Sequence, residues 1–410
     1  MMGRLAKGSL LTTVVLALRL ATQASSLVLL TRLFGPQVYG HFASAAALAV
    51  VMGTLPSLGS GYVLLSRASR DVSAAGDIWR YAWPMTSALG VVLLAIYVGC
   101  GQWLSDDQLT WSVLLTIGVA ELLATPSTML CSFALQASER VPLSQLVQWL
   151  PLGLRLLAAI PCFAFAPSDR LAVYVTLQLL ASVLGAVLGW FIASRRIRFD
   201  WRPRIATAAE LKEGSSYAAM LLVAANPTEL DKIVAVRQVG ANDAGLYIAS
   251  SRVMGALVMP VLAMLLAAQP RLFRHAHTKE HDGHKLVRMI FVLALGWGLL
   301  SGSLLAAASP LLPMLFGEGY ARTAQLIPCM AITAPFLSLR LAAGSVLVAL
   351  GHPLERVFFE LAGIVLLLTG MLVFTHLFGV LGLVAAVIMA ESAMCLLGLL
   401  LVLRHIRHSD

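Results

Sequence analysis

Apolar runs long enough to cross a bilayer recur along the whole chain, and no other feature constrains its folding as much. A helix needs about 20 apolar residues to span the hydrocarbon core. Runs of that kind lie near 9–31, 38–64, 81–100, 111–135, 147–166, 171–194, 214–237, 244–268, 287–308, 322–349, 356–377 and 381–403. In lipid the backbone must satisfy its own hydrogen bonds, so each run is expected to be helical. The expected fold is an all-α polytopic membrane protein with about 12 transmembrane helices. The connectors are short and leave no room for a soluble catalytic domain. Only 12% of residues are charged, too few for an ordinary globular surface. The first run is too long for a cleaved signal peptide and contains Arg19 and Gln23, so it is expected to be retained.

The runs fall into two equal sets. The frame Arg-x-x-Gly-x-x-x-x-Gly occurs as Arg32, Gly35 and Gly40, and again as Arg237, Gly240 and Gly245. The copies stand half of the 410-residue chain apart, each followed two residues later by an aromatic, Phe42 or Tyr247. One offset for every match predicts two like-oriented repeats, a six-helix lobe over 1–205 and another over 206–410.

The charges orient the spans. With the N-terminus in the cytoplasm, most of the 29 basic residues fall on the cytoplasmic side. Arg32, Arg170, Arg237 and Arg322 fall on the other. This is the asymmetry of the positive-inside rule, and both termini are then cytoplasmic. It also accounts for the net charge of +9 without nucleic acid: the positive charge sits beside lipid headgroups. The segment RRIRFDWRPR (195–204) interleaves Phe199 and Trp201 with arginines. It reads as a linker between the lobes that anchors on anionic lipid.

Little in the sequence suggests covalent chemistry. The five cysteines include no CxxC pair and read as packing residues. HExxH, GxSxG and Walker A patterns are absent. His275, His277, His281 and His284 cluster in one polar loop, which reads as a hydrated surface. No catalytic residue, metal or cofactor is expected.

Function must then lie with ionisable groups at membrane depth. Arg19, Arg155, Lys232, Arg252 and Arg340 fall within spans, as do Glu121, Asp231, Glu360 and Glu391, with Glu229 nearby. Each charge near the bilayer centre costs about 2.5–3.5 kcal/mol on insertion scales. Such groups must face a wet cavity, pair with one another, or reach the interface. Arg19 lies about 15 Å into the first span. Ser9, Thr12, Arg19, Gln23 and Ser26 share one helical face with it. This polar stripe should line water or protein, and a guanidinium there suits phosphate oxygens. Arg252, beside Ser250 and Ser251, is the second-half counterpart. Arg155 and Arg340 either face a cavity or pair with Glu121 or Glu391. Glu360 lies close enough to a span end to reach the interface. In the seventh span, Pro227 should kink the helix, and Asp231 and Lys232, being adjacent, should each need its own partner. The substrate-binding candidates are Arg19, Gln23, Arg155, Arg252 and Arg340. The ion-coupling candidates are Asp231, Lys232 and Glu391.

Three segments carry a family resemblance. LLTRLFGPQVYGHFASAAALA (29–49) resembles the first-hairpin signature of polysaccharide-transport proteins. LDKIVAVRQVGANDAGLYIASSRV (230–253) is similar to the seventh-to-eighth span region of that family, and LLPMLFGEGYARTAQLI (311–327) resembles a third element. Together with the twelve-span layout, the resemblance covers essentially the whole chain. The resemblance is to O-antigen/polysaccharide (Wzx-type) flippases of the multidrug/oligosaccharidyl-lipid/polysaccharide (MOP) exporter superfamily. It implies two six-helix lobes working by alternating access in the bacterial inner membrane, with H+ or Na+ as coupling ion. It implies undecaprenyl-pyrophosphate-linked oligosaccharide as substrate, membrane lipids as surroundings, and polymerase or glycosyltransferases of the same pathway as partners. The alternatives are a MATE-like drug or small-solute antiporter and, further off, a membrane glycosyltransferase or polysaccharide polymerase. Antiporters of this fold rely on an acid in the first span, where this chain has Arg19 and no acid. Polymerases need a large external loop, and the external acids here lie in short ones.

Overall fold

Two glycines set the path of the two longest irregular helices. In this computed structural model, which describes residues 2–71, 74–105, 108–197, 199–225, 227–275 and 281–409, α1 runs from Met2 to Met52. It turns at Gly35, where φ is 66° and ψ is 173°. That backbone region is essentially closed to any residue with a Cβ. Pro36 then opens the second limb, its ring already set at a helical φ.

The first half continues with α2 (Ser60–Ala68), α3 (Ala74–Leu104), α4 (Trp111–Val119), a π turn at Ala120–Ala124, α5 (Thr125–Ala137), α6 (Val141–Ala159) and α7 (Arg170–Ser194). In the second half, α8 (Ala208–Ala225) is followed by α9 (Pro227–Leu257), which turns at Gly240 with φ 78° and ψ 162°. The paired glycines of the sequence repeat thus share one rare conformation. Then follow α10 (Met259–His275), α11 (His281–Ala308), α12 (Leu312–Phe316), α13 (Thr323–Ala331), α14 (Thr333–Ala349), α15 (Pro353–Phe378) and α16 (Val380–Ser409). The described residues include no strand.

Among the described residues, nine helices are long and apolar enough to cross a membrane, ten if the bent pair α13–α14 counts as one span. The sequence reading of about 12 counts α1 and α9 as two spans each. The second run, read as continuous over 38–64, is broken: α1 ends at Met52 and a turn occupies 53–59, where Leu58 has φ 42° and Gly59 φ 73°. Pro56 and the flanking glycines were the available signal. At the expected kink of the seventh run, α8 ends at Ala225 and α9 begins at Pro227, with Asn226 outside the described residues.

The helices gather into two compact units. One comprises 1–34 and 41–234; the other comprises 35–40 and 235–410. The division falls later than the midpoint at 205 because α8 and the first limb of α9 are bonded into the first unit. Arg204 joins Asp77 to Glu210, Gly214 packs on the Leu58 carbonyl, and Ser44 Oγ donates to the Ile233 carbonyl at 3.1 Å. The second unit is built around α11, α14, α15 and α16, and it holds both elbows. There a methyl group on Gly40 would overlap the Ala241 carbonyl, and one on Gly245 would overlap the Pro36 carbonyl. The two contacts are reciprocal across the offset of the sequence frame.

The linker is spent on protein. Phe199 stacks on Trp79 with centroids 3.9 Å apart, and Trp201 packs on Trp190 at 5.0 Å. Arg204 donates to Asp77 Oδ2 at 2.8 Å and to Glu210 Oε1 at 2.6 Å. Glu210 also accepts from the Thr207 backbone N–H at 2.8 Å, and Thr207 Oγ1 accepts from the Glu210 N–H at 3.3 Å. This reciprocal pair is a capping box that starts α8. The Arg204 hydrogen bond, more than burial opposes it, lowers the Glu210 pKa to about 2.

Candidate functional site

The charges at membrane depth form three groups that differ in how they are compensated. The first lies in the first unit, on one face of α6. Ser144, Gln148 and Arg155 are spaced four and seven residues apart, so they share a side of that helix. Arg19, half-buried on α1, donates to Gln148 Oε1 at 3.1 Å. Gln148 Nε2 in turn donates to Ser132 Oγ at 2.6 Å, and Ser132 Oγ donates to the Ser144 carbonyl at 3.3 Å. Beside this chain, Trp149 Nε1 donates to Thr22 Oγ1 at 2.9 Å. Among the described residues no carboxylate pairs with Arg19, and Gln148 engages one of its five N–H donors. Gln23, one turn along, is exposed. The side chain of Ser9, at the start of the expected stripe, lies outside the described residues.

Two turns along α6 the compensation is ionic. Arg155 Nη1 donates to Glu121 Oε1 at 2.5 Å, Nε to Ser182 Oγ at 2.8 Å, and Nη2 to Thr125 Oγ1 at 3.2 Å. The π turn builds this site. Its widened ring lets Thr125 Oγ1 donate to the Ala120 carbonyl five residues back, at 3.0 Å, and stand within 3.2 Å of Glu121 Oε2. The second unit holds a parallel arrangement. Arg340, 3% exposed, donates through Nε to Glu391 Oε2 at 2.7 Å and lies 3.8 Å from Glu360 Oε1. Glu360 also accepts from Arg356 Nε at 3.0 Å.

Of the two options left open for Arg155 and Arg340, pairing is present: both arginines are ion-paired with a carboxylate of their own unit. These pairings also correct the reading of Glu360, which does not reach for the interface but is buried between two arginines. Glu391 likewise serves Arg340.

The third group is on the first limb of α9. Lys232 and Asp231 are both buried, and Lys232 Nζ lies 3.4 Å from Asp231 Oδ1 and 3.9 Å from Glu229 Oε1. Adjacent residues therefore do share a contact here. The lysine stem is long enough to fold back over its neighbour, which the expectation from helical spacing ignored. Arg252, on the second limb, is exposed. The residues missed from sequence are Gln148, Ser132, Ser144, Thr125 and Ser182. The four- and seven-residue spacing of Ser144, Gln148 and Arg155 was the signal for the first of these.

The fold recurs in solved transporters. A multidrug resistance MATE family transporter of the MOP superfamily, in its inward-facing conformation, superposes with a TM-score of 0.74 at 15% identity, over 96% of this chain and 94% of that one. The fold is that of MOP transporters. The lipid II flippase MurJ, in an inward closed conformation, gives a TM-score of 0.76 at 12% identity, over 96% of this chain and 87% of that one. A MOP superfamily transporter from Pyrococcus furiosus, described as having a binding pocket of reversed polarity, gives 0.60 at 13% identity, over 99% and 95%. No protein-family model matches the sequence, and no curated protein matches it.

Proposed function

We propose that the protein is a flippase for undecaprenyl-pyrophosphate-linked oligosaccharide. It would move the headgroup from the cytoplasmic to the periplasmic leaflet of a bacterial inner membrane during surface polysaccharide synthesis. The observation that carries this reading is Arg19, a half-buried guanidinium held by a carboxamide rather than a carboxylate. An arginine at this depth whose charge is left standing is suited to a phosphate-bearing headgroup, which the planar fork can bind through two oxygens. The serine-glutamine chain behind it fixes its position and offers polar walls to sugars. The three sequence segments shared with polysaccharide transporters favour the same class, and so does a fold held in common with a lipid II flippase. Arg155 and Arg340 leave the substrate set because carboxylates already balance their charge. Gln23 and Arg252 stay in it as accessible groups. Of the coupling candidates, Asp231 is retained. It and Glu229 share Lys232, so protonating one acid or binding Na+ there changes the local charge. Glu391 is better read as the counter-ion of Arg340.

The fold shared with a multidrug MATE transporter supports a second reading, a small-molecule antiporter. One experiment separates them. Arg19→Ala is expressed in a strain lacking the chromosomal copy, and surface polysaccharide, drug susceptibility and membrane abundance are measured together. We expect polysaccharide to be lost at normal abundance, with partial recovery in Arg19→Lys. Wild-type polysaccharide in Arg19→Ala would remove Arg19 from the site. A change confined to drug susceptibility would favour the antiporter.

A further inference from the structure

The second unit carries a cluster of metal-ligating side chains that the transport reading leaves unused. α14 ends in a Schellman motif. The His352 N–H donates to the Leu347 carbonyl at 2.9 Å, the Gly351 N–H donates to the Val348 carbonyl at 3.2 Å, and Gly351 takes φ 87°. Pro353 then begins α15 at once. This tight stop fixes the backbone of His352, and Glu355 follows within the first turn of α15. His405, from the far end of α16, comes to the same place. Its Nε2 lies 2.9 and 2.8 Å from the two Glu355 carboxylate oxygens. His352 Nδ1 stands 3.9 Å from Glu355 Oε1. One ligand atom from each residue lies within 4.8 Å of the others.

We propose that His352, Glu355 and His405 bind a first-row transition-metal dication of the zinc class, stapling the end of α16 to the start of α15. Two imidazole nitrogens and one carboxylate are a donor set for zinc or its neighbours and not for Mg2+ or Ca2+, which want oxygen ligands. Bond lengths of about 2.1 Å place tetrahedral ligands ~3.4 Å apart, and the observed 2.8 and 3.9 Å separations bracket that edge. The fourth position is left to water. One rearrangement is needed. The two rings are stacked, with centroids 3.7 Å apart and planes 15° apart, so their lone pairs do not converge. The His352 side chain is 41% exposed and is the ring with room to turn. The neighbouring Arg356 is drawn off to Glu360 at 3.0 Å and does not compete for Glu355. This site is independent of the flippase reading, so the loss of transport in Arg19→Ala leaves it intact.

The test is Zn2+ titration of the purified full-length protein in detergent, stripped of metal beforehand and followed by calorimetry. Co2+ substitution adds a visible absorption signature of the coordination geometry. We expect one Zn2+ per chain, a higher melting temperature with metal bound, and Co2+ bands of a four- or five-coordinate site. Changing groups that merely touch a metal ligand already costs about 10–100-fold in affinity, so His352→Ala and His405→Ala should each weaken binding at least about tenfold. Glu355→Gln keeps the side-chain shape and should weaken binding to the same degree, which covers an alanine variant that fails to fold. Joint replacement of His275, His277, His281 and His284 by Asn should leave the titration unchanged. The proposal is overturned if the wild type takes up no Zn2+. Uptake that survives His352→Ala and His405→Ala, or that disappears with the loop histidines, overturns it equally.

Discussion

Each unit buries an arginine against a glutamate, but the polarity is reversed. In the first unit the arginine is on α6 and the glutamate precedes it, in the π turn: Arg155 with Glu121. In the second the arginine is on α14 and the glutamates follow it, on α15 and α16: Arg340 with Glu360 and Glu391. Arg155 and Glu360 stand half of the 410-residue chain apart, so one repeat position carries opposite charges in the two halves. A position that accepts either sign is governed by compensation. A group that holds an anion, the role we propose for Arg19, would have no such freedom, and among the described residues its side-chain partner is an amide. Buried arginines in this molecule therefore divide by what they touch.

The largest effect that would break this comparison is the loss of one partner. Arg340→Ala removes the guanidinium that faces Glu391 and Glu360 and should destabilise the protein by about 3–5 kcal/mol, and Arg155→Ala should do similar damage by breaking the ion pair with Glu121. Thermal unfolding in detergent measures both. A wild-type melting curve for either would show that the pair is not structural. Reversing the first pair, with Glu121→Arg and Arg155→Glu together, should recover much of the loss in the single variants. Failure to recover would mean that polarity matters after all.

The elbows sharpen the comparison from the other side, since there the two halves are alike. Gly35→Ala and Gly240→Ala each force a Cβ into backbone territory reserved for glycine and should each cost about 1–3 kcal/mol. Unequal costs would show that the elbows are not equivalent in strain. The smallest effect concerns the capping box, which we describe only in the first unit. The carboxyl of Glu210 has its pKa lowered from 4.5 to about 2, chiefly by Arg204. Its depressed value means that the contribution is complete above about pH 5 and fades as pH falls toward 2. Glu210→Gln should flatten that part of the stability profile, and an unchanged acid limb would dismiss the linkage.

What could be read from the sequence was whatever depends on spacing or on the cost of a buried charge. The apolar runs and the elbow glycines follow from intervals along the chain, and the Arg155–Glu121 and Arg340–Glu391 options follow from the cost of leaving a charge unpaired at membrane depth. What escaped reading depends on side-chain reach and on partners distant in the chain. Lys232 folds back onto Asp231, which no helical wheel shows. Glu360 was placed by its distance from a span end, yet two arginines on different helices decide its position. Phe199 and Trp201 looked like lipid anchors because Trp79 and Trp190, far away in sequence, were not in view. The break at 53–59 was present in the letters, as Pro56 between glycines, and was masked by the hydrophobic residues around it.

The π turn at Ala120–Ala124 holds one residue more than an ideal helix would need. That extra residue rotates everything downstream by about 100°. It lets Thr125 Oγ1 reach the Ala120 carbonyl five residues back while it faces Glu121 and Arg155. Deleting a single codon there would straighten the rod and swing the acceptors away, although every remaining side chain would be unaltered. This span is thus far more vulnerable to a shift in reading length than to a change of letter, and kin that have lost or gained one residue at this point should show altered charges on both sides of the contact.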